Sequence, residues 1–364
     1  MNFDFSEDQK NIQEQARSML AKECSSASVR HIIDGDQYFD AALWQQVVAL
    51  GWPAITIAEK HGGLGLSYLE LCVIATELGR SLAPIPFIAS VYLGTELIKA
   101  AASPAQQQEW LPALASGDII STVAISEGKT NHVDCLVSDN QLSGRKSAVL
   151  HGKIANTAIV SAKNENGELG LYFAELSDSS VSRAPQDSLD PSLPRAELIF
   201  DKTPVIQLAG QTPAASALHT LFDRAAVLLA FEQVGGCEAV IDMAKAYTTD
   251  RYAFGRQVAS FQAIKHKLAD MFVAKELAKS NAYYGAWALA ADAPELPLAA
   301  ATARVSAIDA YYLCSKENIQ AHGGMGFTWE FDCHLYYRRA QNLSTLLGGN
   351  PYWKGLLVDR LLAA

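Results

Sequence analysis

The segment RYAFGRQVASFQAIKHKLADM, residues 251–271, joins two runs of helical character through a turn-prone stretch, FGRQVASFQ. Five basic residues lie in or beside this stretch: Arg251, Arg256, Lys265, His266 and Lys267. Guanidinium groups and the open backbone N–H groups at the start of a helix both attract anions. The segment therefore predicts an elbow between two helices that favours an anionic ligand.

The chain as a whole is acidic, with a formal net charge of −10 from 39 acidic and 29 basic residues. This balance argues against nucleic acid or an anionic membrane surface as the main partner. No stretch reaches the roughly 18 uninterrupted apolar residues of a membrane helix, and MNFDFSEDQK, residues 1–10, lacks the basic n-region and apolar core typical of a signal peptide. We therefore expect a cytoplasmic protein. Its six cysteines have no CxxC pairs, which predicts buried reduced thiols.

The hydrophobic pattern changes twice along the chain. Residues 1–117 are of helical character, with a capping box at residues 6–9 and a helix start at Ser103-Pro104. Residues 118–208 contain short strand-like runs, such as TAIVSAK and LGLYFAEL, and residues 209–364 return to long helical runs. The predicted fold class is α+β, mainly α: an N-terminal helical domain, a central small β-barrel or sandwich, and a C-terminal four-helix bundle.

The helix before the elbow is predicted to start at Thr212-Pro213 and is apolar nearly all round, which is typical of a helix inside a bundle. Gly235-Gly236 interrupts it. Because glycine is costly in a helix interior, the pair predicts the close approach of a neighbouring helix.

Common motifs of nucleotide binding and hydrolysis are missing from the sequence. GGLGLSY and GGMGFTW do not complete GxGxxG after a strand, and GxxxxGK[ST], HExxH and GxSxG are absent. The specific signals that remain are the elbow and IQAHGGMGFTWE, residues 319–330.

The elbow resembles the FAD-contact stretch of the acyl-CoA dehydrogenase family, whose members commonly carry R-x-x-F-G followed by F-Q and A-D-M. FDFSEDQKNIQEQAR, LWQQVVALGWPAITIAEKHGGLGLSYLELCVIATELGRSLAPIP and EWLPALASGDIISTVAISE also resemble that family's helical domain and the entry into its β domain. The resemblance covers nearly the whole chain and is weakest around residues 128–208.

The resemblance implies FAD as the cofactor, with Arg251, Phe254 and Gln262 contacting the FAD of a neighbouring subunit. It also implies a backbone cradle for the adenosine diphosphate end of FAD, made by Gln320, Ala321, His322, Gly323 and Gly324. Glycine suits such a cradle because the missing Cβ lets the main chain approach the ligand.

Two further contacts follow from the resemblance. Ser126, with Glu127, is similar to the strand end that lies beside the isoalloxazine ring, although GKTNH follows where relatives often have proline, glycine, serine and aspartate. Asp223 fits a contact with the CoA part of an acyl-CoA substrate. The implied partners are acyl-CoA, an electron-transfer flavoprotein as acceptor, and further subunits of a homo- or hetero-oligomer.

The implied reaction is α,β-dehydrogenation of an acyl-CoA thioester, in which a carboxylate removes the α-proton while a hydride passes to flavin N5. Many relatives place this carboxylate in a segment resembling Y-E-G-T, where LSTLLGGNPYWK places Gly348. Other relatives place it on the helix before the elbow, at the position of Ala225. The catalytic base is therefore unassigned.

The missing base leaves three hypotheses open. Glu232, seven residues after Ala225 and roughly on the same helical face, is either an unorthodox base or a buried carboxylate paired within the bundle. A partner chain could instead supply the base, as in bacterial heterotetramers linked to sterol side-chain breakdown. The third hypothesis is a structural or regulatory pseudoenzyme. Among enzymes, an acyl-CoA oxidase is a further alternative.

Overall fold

The computed structural model describes residues 5–128 and 133–363 and shows a mainly helical α+β protein. The helices are α1 (Glu7–Glu23), α2 (Ser26–Asp34), α3 (Ala41–Ala49), α4 (Tyr68–Ser81), α5 (Glu96–Ala101), α6 (Pro104–Ala115), α7 (Ala214–Asp250), α8 (Gln262–Ala290), α9 (Leu296–His322), α10 (Cys333–Thr345) and α11 (Asn350–Ala363). The strands are β1 (Ser121–Ala124), β2 (Leu136–Ser138), β3 (Gln141–Leu150), β4 (Thr157–Lys163), β5 (Leu169–Glu175), β6 (Val181–Gln186), β7 (Arg195–Gln207), β8 (Tyr252–Ala253) and β9 (Arg256–Gln257). The predicted fold class is confirmed.

Two of the predicted helix starts are capping boxes. Ser6 Oγ accepts a hydrogen bond from the Gln9 N–H, and the Gln9 side chain accepts one from the Ser6 N–H. Ser103 and Gln106 form the same reciprocal pair, with Pro104 as the first residue of α6. These bonds satisfy N–H groups that have no partner inside the helix, so both starts are set locally by sequence.

The chain divides into two compact units, one of which comprises His31–Leu66 and Pro84–Ala225 and contains the barrel. Strand β4 pairs with β2 and β5, β2 with β3, β3 with β7, and β7 with β5, so the pairings return to β4 and close a ring. Strands β1 and β6 add to this ring through β4 and β7. The sequence-based domain boundaries at residues 117 and 208 stay predictions.

The other unit comprises the described residues of Met1–Arg30, Ser67–Ala83 and Ala226–Ala364. Every residue from 226 to 237 of α7 is buried, as its all-round apolar surface predicts. A Cβ on Gly235 would lie 1.9 Å from the Thr76 carbonyl oxygen, and one on Gly236 would lie 2.4 Å from the Tyr311 ring. The predicted close approach at this glycine pair is therefore confirmed.

Helix α7 is long and apolar enough to cross a membrane by length and composition alone. However, 61% of its most apolar window is buried inside the protein, as expected of a core helix. The six cysteines are buried and free, as predicted.

Candidate functional site

The elbow predicted within residues 251–271 is a short hairpin between α7 and α8. Strands Tyr252–Ala253 and Arg256–Gln257 pair antiparallel, so Phe254 and Gly255 form a two-residue loop. Both loop residues have positive φ, 54° and 77°, as in a type I′ turn. Positive φ is uncommon for an aromatic residue, and Phe254 is 96% exposed. Backbone strain beneath an exposed ring suggests a functional surface.

The N-terminus of α8 offers backbone donors beside this hairpin. Its N-cap residue, Phe261, provides no side-chain hydrogen bond, and its first turn carries no acidic residue. Gln262, the first residue of α8, is exposed. The Arg256 guanidinium stacks 3.9 Å above the Phe261 ring, whereas Arg251 is exposed and its guanidinium has no partner among the described residues. This donor set fits an anionic group such as a diphosphate.

The predicted glycine cradle spans the C-terminus of α9, which ends at His322. Gly323 and Gly324 are exposed, and a Cβ added to either would meet no atom within 4 Å. Gln320 is also exposed, whereas Ala321 and His322 are buried. The segment therefore has an open face at its two glycines, where a ligand or a partner chain can approach the main chain.

A stacked ring pair joins the hairpin to the glycine segment. The His322 ring lies 4.1 Å from the Tyr247 ring, and its Nδ1 lies 2.9 Å from the Asn318 carbonyl oxygen. Burial lowers the pKa of His322 despite that hydrogen bond, which favours the neutral ring. Because a carbonyl oxygen only accepts, Nδ1 is the donor of this hydrogen bond. Tyr247 is one helical turn before Arg251, and His322 immediately precedes Gly323, so the stack brings the two predicted cofactor segments together. Sequence alone gave no signal for Tyr247, because aromatic residues in a core helix are common.

In the barrel unit, Ser126 lies just beyond β1 and is exposed. Its neighbour Glu127 accepts hydrogen bonds from the N–H groups of Asp134 (2.5 Å) and Cys135 (3.2 Å) and from Lys146 Nζ (2.5 Å). The Lys146 side chain is fully buried. The strand end that carries Ser126 is thus anchored by a buried ion pair.

Lys146 is not among the predicted site residues, although the sequence holds a signal for it. Leu142 and Lys146 are buried on β3, at an even spacing that places them on one side of the strand. Gln141, Ser143 and Arg145, on the other side, are exposed. A lysine at a buried position requires a polar partner, and its presence marks an exception to the apolar pattern. Residues 129–132, which contain most of the departure from the family pattern, lie outside the described residues.

The Lys146–Glu127 pair makes stability depend on pH. Burial raises the pKa of Glu127, but hydrogen bonds from Lys146 and the two backbone N–H groups outweigh it, so its pKa is lowered. A carboxyl with a lowered folded-state pKa stabilises the fold above its unfolded pKa and loses that effect as the pH falls through the folded pKa. We expect Glu127→Gln to lower the urea midpoint at neutral pH, and the deficit to shrink below about pH 4.3. An equal deficit at every pH would contradict this assignment.

Both positions that the resemblance predicts for a catalytic carboxylate lack one. Ala225 is fully buried in α7, and Asp223, the predicted CoA contact, is 5% exposed on the same helix. Gly348 lies between α10 and α11 with a φ of 101°, directly after Leu347 with a φ of 60°. A Cβ on Gly348 would lie 2.4 Å from the Tyr352 ring. This turn is shaped for glycine, and a glutamate here would require Tyr352 to move.

Glu232 is buried in α7, at 3% exposure, within the electrostatic reach of the fully buried Arg304. The Arg304 guanidinium donates to Gln233 Oε1 (2.6 Å) and to the carbonyl oxygens of Leu343 and Leu346 at the end of α10. Desolvation lowers the pKa of Arg304 to about 9, and the charge of Glu232 opposes that shift. The charge of Glu232 therefore favours the cationic form of the buried Arg304.

Comparison with known proteins agrees with this organisation. Residues 6–118 match the acyl-CoA dehydrogenase N-terminal domain, and residues 215–362 match the acyl-CoA dehydrogenase C-terminal domain. The acyl-CoA dehydrogenase IpdE2 of Mycobacterium tuberculosis is 30% identical over 345 residues, which are 94% of this chain and 93% of that protein.

Solved structures show the same fold at low sequence identity. The ChsE4–ChsE5 complex from Mycobacterium tuberculosis has a TM-score of 0.91 at 23% identity, covering 100% of both chains. A glutaryl-CoA dehydrogenase from Mycobacterium smegmatis in complex with FADH2 has a TM-score of 0.90 at 18% identity, covering 99% of this chain and 96% of that chain. Because both family domains and a full-length relative match one continuous chain, this protein belongs to the acyl-CoA dehydrogenase family of flavoprotein oxidoreductases.

Proposed function

We propose that the chain is one subunit of a hetero-oligomeric acyl-CoA dehydrogenase, in which it completes the FAD site while a homologous partner chain supplies the catalytic carboxylate. The observation that carries this proposal is an intact hairpin and glycine surface combined with Ala225 and Gly348 at the two carboxylate positions. The reaction is α,β-dehydrogenation of an acyl-CoA in the cytoplasm, in fatty acid or sterol side-chain catabolism. An electron-transfer flavoprotein is the proposed acceptor.

Exposed aromatic side chains support a partner chain at this surface. Phe254 is 96% exposed, Phe327 81% and Tyr252 63%. Phe254 and Tyr252 belong to the hairpin, and Phe327 follows the glycine segment. Aromatic and arginine side chains are enriched in protein interfaces, and large apolar groups that cluster on a surface mark contact sites. We infer that the hairpin and the glycine segment together face a neighbouring subunit.

The residues of this chain would bind and orient the cofactor and the substrate. When bound, FAD supplies the hydride acceptor for the reaction. Arg251 presents a planar fork of donors suited to a diphosphate, and Gln262 adds a polar group at the start of α8. Gly323 and Gly324 leave room for the adenosine end of FAD against the main chain. Asp223 is the proposed contact for CoA.

Glu232 as the base is the competing hypothesis within this chain, and its surroundings favour a structural role. Removing its charge would remove an interaction that favours the cationic form of the buried Arg304, which is destabilising. We therefore expect Glu232→Gln to lower the thermal midpoint while the assembled enzyme keeps its turnover number. Loss of turnover at unchanged stability would instead identify Glu232 as the base.

A non-catalytic subunit is the second candidate function, because the same two substitutions at Ala225 and Gly348 would also remove catalysis from a purely structural chain. The colour of the purified protein separates the two. A yellow protein that an acyl-CoA bleaches supports catalysis, whereas a colourless assembly that cannot be reconstituted with FAD supports the structural role.

The proposal is tested by purifying the chain alone and together with the product of an adjacent acyl-CoA dehydrogenase gene, then measuring acyl-CoA oxidation with an artificial electron acceptor. We expect turnover by the lone chain to be about 1,000-fold below that of the co-purified complex, because a positioned base contributes a factor of that order. Full activity of the lone chain would reject the proposal. Rapid reoxidation in air with peroxide formation would identify an oxidase.

A further inference from the structure

Lys146 is a buried cation at the centre of a small polar cluster in the barrel. Its side chain is 0% exposed. Its Nζ donates to the Ile125 carbonyl (3.0 Å), the Glu127 carboxylate (2.5 Å) and the Ser161 hydroxyl (3.3 Å). An ammonium group has three donors, and here each finds an acceptor, which is the condition for burying such a charge. An apolar residue would fill this position of β3 at lower cost, so packing does not account for a lysine.

Two of these three acceptors flank Ser126 in the chain, one on each side. The Ser126 carbonyl is itself held, because the N–H of Ser147 donates to it at 2.8 Å. Lys146 and its neighbour Ser147 therefore fix three successive residues, 125–127. The Ser126 Oγ lies at the exposed surface of this clamped segment, where it accepts a hydrogen bond from the Gly128 N–H at 3.3 Å.

Strand β3 is irregular directly after Lys146. Its register against β7 shifts between Lys146 and Val149, and Ala148 has a φ of 55°. Such bulges re-aim side chains and are over-represented next to active sites. The irregularity begins at the two residues that hold the 125–127 segment, which is consistent with a local structure built around that segment.

We propose that Lys146 is a positioning residue that holds the Ile125–Glu127 segment so that Ser126 presents its hydroxyl to the flavin ring of the bound cofactor. This inference rests on the proposed function, since it requires that the assembled protein binds FAD. Lys146 itself lies beneath the segment and acts only through it. The barrel would thus contribute to the flavin environment through an internal ion pair.

The experiment compares FAD affinity, the flavin absorption spectrum and the thermal midpoint in the assembled protein. Lys146→Met removes the charge while keeping an unbranched side chain of similar length in the buried position. Lys146→Met/Glu127→Gln also removes the carboxylate that would be left without its cation, so it tests the same role if the single variant folds poorly. Arg145→Met is the matched control. This neighbour of Lys146 on β3 is 63% exposed, and its guanidinium lies 3.5 Å from the carboxylate of Glu197.

We expect Lys146→Met and the double variant each to weaken FAD binding about tenfold and to shift the flavin absorption maximum, with the Arg145→Met protein unchanged. The decisive comparison uses Ser126→Ala as a second background. If Lys146 acts through the Ser126 segment, adding Lys146→Met to Ser126→Ala should weaken FAD binding by much less than tenfold, although it still lowers the thermal midpoint.

Two results would overturn the inference while leaving the proposed function intact. In the first, the Lys146→Met protein has a lowered thermal midpoint but binds FAD with the affinity and absorption spectrum of the wild type. The lysine would then be purely structural. The other is a full tenfold loss in the Ser126→Ala background, which would show that Lys146 does not act through this segment. A wild-type assembly that binds no FAD would overturn the proposed function and this inference together.

Discussion

Replacing Arg251 with glutamine is expected to weaken FAD binding by the assembled protein on the order of 100-fold, because a guanidinium that binds a diphosphate contributes strong charge-assisted hydrogen bonds. Arg251 is exposed and its side chain has no hydrogen bond or ion pair among the described residues, so its replacement removes no such bond from the isolated chain. The thermal midpoint should therefore stay near that of the wild type. Fluorescence titration of the apo-protein with FAD measures the affinity.

Arg145→Gln is the control for this substitution. Arg145 is also a largely exposed arginine, but it lies on β3 of the barrel, 3.5 Å from Glu197. Its replacement should leave the dissociation constant for FAD unchanged. Equal FAD affinity in Arg251→Gln and wild-type protein would remove the hairpin from the cofactor site.

Replacing Gly324 with leucine is expected to reduce FAD binding or assembly by more than about 100-fold while the chain still folds. A Cβ at Gly324 meets no atom of the chain within 4 Å, so a side chain can begin here without a clash at its first atom. It would occupy the space in which the adenosine end of FAD and the partner chain are proposed to lie. Size-exclusion chromatography and FAD titration report the two losses separately.

Gly355→Leu provides a matched control for this glycine. Gly355 is exposed on α11, and a Cβ there also meets no atom within 4 Å. This variant should assemble and bind FAD like the wild type. If Gly324→Leu behaves in the same way, the open face beside α9 does not form part of the cofactor site.

Much of the helical architecture could be predicted from the sequence, because helix caps and apolar patterns involve residues that are close together in the chain. Capping boxes at Ser6 and Ser103 fix helix starts through bonds between residues three apart. The apolar surface of α7 and its Gly235-Gly236 pair predict a core helix with a close neighbour, although the sequence does not reveal that Thr76 and Tyr311 provide it. The helix begins at Ala214, just after the predicted Thr212-Pro213 start.

Only part of the candidate site could be predicted from the sequence. The elbow has a local turn signature, and the structure shows it as a hairpin whose loop is Phe254-Gly255. The stack of Tyr247 on His322 joins segments 75 positions apart, and such a pairing leaves no trace in local periodicity. Lys146 could have been found, since a charged residue at an inward position of a strand breaks the expected alternation.

An experimental structure of the chain co-assembled with its partner, FAD and an unreactive acyl-CoA analogue tests the proposed subunit role most directly. We expect FAD in contact with two polypeptides, the guanidinium of Arg251 on its diphosphate, and a carboxylate of the partner chain facing the α-carbon of the analogue. FAD held entirely within one copy of this chain, with Glu232 facing that α-carbon, would rule out the proposed subunit role.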